Sequence, residues 1–105
     1  MKELNHDTLL TLTIPLALEE DILDFLLLHP VWASGFSIID AQGMGQGALL
    51  RSNMELVHGR SRRKLVLVAG LLGDLQQLLA TLAQEIPNPE VAYWMTPLLA
   101  SGRLA

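Results

Sequence analysis

A chain of 105 residues has room for one hydrophobic core and not for two, so a single domain over residues 1–105 is expected. Half of its residues are apolar, the mean hydropathy is +0.36 and the net charge is -4, which together exclude a disordered chain. With no cysteine there is no disulfide framework, no thiolate nucleophile and no thiolate-held metal centre.

Thr8 to Ile14 alternates, with Leu10, Leu12 and Ile14 on one side and Leu9, Thr11 and Thr13 on the other, and this period predicts a first strand. Pro15 stops it and suits the first turn of a helix, with Glu19, Glu20 and Asp21 near the positive end of the helix dipole. Leu18, Ile22, Phe25 and Leu26 recur at helical spacing, and the helix is expected to end near His29-Pro30. Ser34 to Ala41 reads as a second strand. Lys64 to Leu72 reads as a third, so uniformly apolar that both of its faces need cover. Gly73-Asp74 predicts a turn and N-cap for a second helix whose stripe is Leu75, Leu78, Leu79 and Leu82. Pro87-Asn88-Pro89 breaks that helix, and Glu90 to Thr96 supplies a fourth strand rich in β-formers.

Strand, helix, strand, strand, helix, strand is the α+β, ferredoxin-like βαββαβ pattern: an antiparallel four-stranded sheet with two helices on one face. Two helices leave the other face open, yet the third strand offers apolar side chains to both. Burial of that face against further copies of the chain is the economical solution, so an oligomer is expected.

Between the second and third strands lies a connection over residues 42–63, too long for a compact domain to keep without a use. It ends in the knot His58-Gly-Arg-Ser-Arg-Arg-Lys64, which holds four of the seven Lys and Arg, whereas seven of the eleven Asp and Glu precede Gln42. One basic loop on an acidic chain points to a local anion or partner site, not to the broad basic surface of a nucleic-acid binder. Apolar runs such as Leu65 to Leu72 fall far short of the roughly 20 residues that span a bilayer. No membrane insertion is expected. The polar start, Met-Lys-Glu-Leu-Asn-His-Asp7, lacks the apolar core of a signal peptide, and the expected compartment is the cytoplasm.

Ser34-Gly-Phe-Ser-Ile-Ile-Asp-Ala-Gln-Gly-Met-Gly-Gln-Gly47 resembles the PII nitrogen-regulatory proteins at the root of their T-loop, with Gly35, Ser37, Asp40, Gly43 and Gly45 matching in order and Met44 in the place of an aromatic residue. Three segments look similar to the small, largely uncharacterised PII-like family found beside heavy-metal efflux genes. They are Leu10-Thr-Leu-Thr-Ile-Pro-Leu-Ala-Leu-Glu-Glu20, His58-Gly-Arg-Ser-Arg-Arg63 and Tyr93-Trp-Met-Thr-Pro-Leu-Leu-Ala-Ser-Gly-Arg-Leu104. The resemblance implies a homotrimer with ligand clefts between subunits and residues 42–63 as a T-loop-like element. PII proteins close a nucleotide site with a loop containing glycine and lysine before the last strand, where this chain has Ile86-Pro-Asn-Pro-Glu-Val91; the loop's modified tyrosine has no counterpart. A partner or anion contact is therefore favoured over an ATP sensor.

Gly43, Gly45 and Gly47 allow backbone N–H groups to approach an anion closely, and Gln46 adds a donor and an acceptor. Arg60, Arg62 and Arg63 present forked donors to phosphate, carboxylate or an acidic partner. These seven residues are the candidate ligand-binding set. His58 with Glu55, and Met54 nearby, form a candidate metal site, although no histidine pair has a strong metal spacing. Trp32, Tyr93 and Trp94 read as core or interface packing. No serine is paired with a His and an acid in a recognisable motif, so no enzymatic activity is expected. The expected function is a PII-like regulatory or ligand-sensing module whose loop meets a small anion or a partner protein; the alternative is a divalent-metal accessory linked to metal tolerance or efflux.

Overall fold

The alternating apolar pattern that begins at Thr8 forms the centre of the molecule. The computed structural model describes residues 1–43 and 61–105. The chain runs through β1 (Lys2–Glu3), β2 (Thr8–Pro15), a 3-10 turn (Leu16–Leu18), α1 (Glu19–Leu28), β3 (Phe36–Gly43), β4 (Ser61–Gly70), α2 (Leu72–Glu85), β5 (Ala92–Pro97) and β6 (Gly102–Arg103). The four-stranded sheet has the order β3-β4-β2-β5, with every neighbouring pair antiparallel. Two helices and four long strands follow one another in the expected order.

Side chains alternate across a strand, and the register pairs Leu10 with Val68 and Leu12 with Val66, so these residues share one face. That face carries the core. Ile22, Phe25 and Leu26 of α1 and Leu75, Leu78 and Leu82 of α2 are buried in one cluster with it, which places both helices on the same side of the sheet. No helix among the described residues is long and apolar enough to cross a membrane.

The opposite face presents Thr11 and Thr13 of β2, Leu65 and Leu67 of β4, Ile39 of β3 and Trp94 of β5, by the same alternation. Thr11 is buried between its neighbours, while Ile39 and Trp94 keep nearly half of their surface. No described helix lies on this face.

Several boundaries differ from expectation, each for a long-range reason. Pro15 is the last residue of β2, paired with Arg63, and does not open a helix; the 3-10 turn intervenes before α1. The second strand begins at Phe36, not Ser34, because the Trp32 and Ala33 N–H groups both donate to the His29 carbonyl and keep the chain turning. The third strand starts earlier, at Ser61, because Gly43 and Gln42 pair with Ser61 and Arg62. Both ends of the 42–63 connection thus belong to a hairpin, and its residues 44–60 lie outside the described residues. The fourth strand begins at Ala92 instead of Glu90. The ribbon β1–β6 was not foreseen; its close approach requires Gly102, where a Cβ would come within 2.5 Å of the Lys2 carbonyl oxygen.

The second helix starts at Leu72, before the expected Gly73-Asp74 cap. Its cap comes from across the chain: the Leu72 N–H donates to Asp7 Oδ1 at 3.0 Å, and the Thr8 hydroxyl donates to the same oxygen at 2.8 Å. Asp7→Ala should therefore cost about 1 kcal/mol in urea unfolding, more than Asp74→Ala.

Candidate functional site

The base of the β3–β4 hairpin gathers the charges. Its register sets Asp40 against Lys64, Ala41 against Arg63 and Gln42 against Arg62. Successive residues of β4 point to opposite faces, so Arg62 and Lys64 lie on the helix side and Arg63 on the open side. Three adjacent bases thereby acquire three different environments.

Lys64 donates to Asp40 and also lies 3.5 Å from Glu19 in the first turn of α1. The hydrogen bond to Asp40 holds the Lys64 ammonium above the ordinary lysine range, against a smaller opposing effect of burial, so it stays charged throughout neutral pH. Arg63 is almost wholly buried and forms an ion pair with Glu90 at 3.6 Å, itself nearly buried. Glu90 is set by the turn that Asn88 makes: the Glu90 N–H donates to Asn88 Oδ1 at 2.8 Å, and the Val91 N–H to the Asn88 carbonyl at 3.1 Å. Arg62 is exposed, with no carboxylate partner among the described residues.

A cleft of about 750 Å³ opens here, walled by Asp40, Ala41, Gln42, the three bases and Leu16. Two of the bases face carboxylates and are held in place by them. Arg62, beside Gln42, presents its forked donors to the solvent side, an arrangement suited to a small oxyanion.

Of the expected ligand set, Arg62 and Arg63 meet in this cleft and Gly43 ends the strand that forms its wall. Gly45, Gln46, Gly47 and Arg60, and the metal candidates His58, Glu55 and Met54, lie outside the described residues. Among the described residues no group of three or more His, Asp or Glu is placed to hold a metal ion. Sequence reading missed Gln42, Lys64, Glu19 and Glu90. A hairpin register placing Asp40 opposite Lys64 is the signal that could have found the first of these networks.

The family model described as "protein of unknown function (DUF3240)" matches residues 4–105. The chain belongs to the DUF3240 family. A crystal structure of a DUF3240 family protein from Shewanella baltica superposes with a TM-score of 0.75 at 22% identity, over 97% of this chain and 100% of that one. CutA from Synechococcus elongatus, complexed with Bis-Tris, gives 0.69 at 18% identity, over 95% and 87%. CPII, a nitrogen regulatory PII-like protein from Thiomonas intermedia bound to ADP, AMP and bicarbonate, gives 0.67 at 17% identity, over 94% and 96%. No curated protein matches the chain. At these identities the likeness establishes the fold alone.

Proposed function

We propose that this DUF3240 protein is a non-enzymatic, cytoplasmic regulatory module, one ferredoxin-like domain assembled as a homotrimer, that senses a small anion at the base of its 42–63 loop. The observation that carries this is exposed Arg62 beside Gln42 in a cleft whose other bases are anchored by carboxylates. Gly43, Gly45, Gln46, Gly47, Arg60 and Arg63 complete the proposed binding set. Occupancy of the cleft would be coupled to the contact that the 42–63 loop makes with a partner protein. CPII, a PII-like protein of the same fold bound to ADP, AMP and bicarbonate, supports a small anion as the class of ligand. Pro87-Asn88-Pro89-Glu90 offers no lysine to a polyphosphate, and its glutamate is already paired with Arg63. A compact oxyanion such as bicarbonate or phosphate fits better than ATP.

Thermal unfolding tests this. At a hundredfold excess over its Kd, bicarbonate or phosphate should add about 2.7 kcal/mol of stability, and Arg62→Gln should abolish the gain. No stabilisation by any small anion, or an unchanged gain in Arg62→Gln, removes the anion site.

The likeness to CutA favours a second reading, a divalent-metal accessory using His58 and Glu55. Calorimetric titration with zinc or copper, repeated on His58→Ala, decides it: saturable heat lost in the variant supports the metal site, and its absence in the parent ends it.

A further inference from the structure

At the end of the sheet opposite the hairpin base, a cleft of about 220 Å³ opens between the segment ahead of β2, the turn after α1 and the start of α2. We propose that it is a binding site for a small organic cation, an ammonium or quaternary ammonium compound, with the Trp32 indole as its face and the Asp74 carboxylate as its counter-charge. The site is separate from the hairpin base and does not rest on the anion reading.

The chemistry of the walls carries this. Trp32, Asp74, His6, Asn5 and Ser34 all line the cleft, and among the described residues no Lys or Arg does. An indole face attracts a cation through its ring quadrupole, and more strongly where the cation is partly desolvated. Asp74 lies in the first turn of α2 and is the acidic side chain in the lining of the cleft. Asn5, His6 and Ser34 bring acceptors for the N–H groups of a primary ammonium. At roughly 30 Å³ per water, the volume equals about seven waters, room for a ligand of roughly six to ten heavy atoms.

The walls are also fixed before any ligand arrives. The Trp32 ring stacks on His29 with centroids 4.9 Å apart and planes 13° apart, and His29 in turn packs against buried Phe25 at 4.6 Å. The Ser101 hydroxyl donates to the His6 carbonyl at 3.1 Å, and the Asp7 N–H donates to the Gly70 carbonyl at 3.0 Å. Three distant parts of the chain thus hold the cleft in shape, which lowers the ordering cost of binding.

The test follows the two indole N–H resonances, told apart with Trp94→Phe, during titration with tetramethylammonium, choline, sodium and zinc chlorides at matched ionic strength. Tetramethylammonium and choline should move the Trp32 resonance along a saturating curve and leave that of Trp94 in place. Asp74→Asn should weaken binding about tenfold or more, while Asp74→Glu, which keeps the charge, should retain it. Calorimetry of the parent and the two Asp74 variants gives the same comparison without Trp94→Phe. A linear response, an equal response to sodium, saturation with zinc alone, or undiminished binding by Asp74→Asn overturns the proposal.

Discussion

Glu90→Gln is expected to destabilise the protein by about 3 kcal/mol, read from the midpoint of urea unfolding. The Arg63 guanidinium and the Glu90 carboxylate lie 3.6 Å apart with only 8% and 13% of their side-chain surfaces exposed. Solvent cannot take over the role of the missing charge. Removing one member of such a pair leaves the other buried in a poor environment, whereas replacing both by apolar groups of similar size removes the desolvation problem as well. Arg63→Met combined with Glu90→Leu should therefore recover most of the loss. Against a total stability of about 5–15 kcal/mol the single change is large. A cost below about 1 kcal/mol would place the pair among solvent-screened surface pairs. The same change bears on the cleft, because a cation released from its carboxylate attracts anions more strongly: phosphate affinity should rise in Glu90→Gln even as stability falls.

Elements whose cause is local were legible in the sequence. Leu10, Leu12 and Ile14 show their period within seven residues, and Leu75, Leu78 and Leu82 show theirs within eight; both sets are buried as that period requires. Elements whose cause lies across the chain were not. Asp7 caps a helix that starts at Leu72, Lys2 pairs with Arg103, and Pro15 is kept in a strand by Arg63, and no short window contains both partners. The site divides in the same way. Arg60, Arg62 and Arg63 read as one basic cluster because they crowd together in the sequence. A strand separates neighbours, however, sending Arg62 and Arg63 to opposite faces, and the acid that claims Arg63 stands at Glu90. Crowding along a chain locates charge. Only pairing shows which charges remain available.

In the proposed homotrimer, Leu67→Glu is expected to give single chains. Leu67 lies at the middle of the sheet face that no described helix covers, paired with Thr11 on one side and Ser37 on the other. Leu65 of β4, Ile39 of β3 and Trp94 of β5 extend the same apolar surface to either side of the threonines of β2. A single chain would leave it facing water, at roughly 25 cal/mol for each Å² of apolar area left unburied. The proposed trimer would bury the face, and a carboxylate at its centre would then be taken from water with no partner, at a cost of several kcal/mol repeated in every subunit. Light scattering at micromolar concentration should give three times the 11.5 kDa chain mass for the parent and one chain mass for the variant. Gln77→Glu, which adds the same charge on the exposed side of α2, should leave the mass unchanged. Should the parent itself run as one chain, the open face would need another partner and the clefts between subunits would not exist. Loss of assembly in Leu67→Glu without loss of the folded chain would place the subunit contact on the sheet face, leaving the helices outside and the hairpin bases at the rims between subunits.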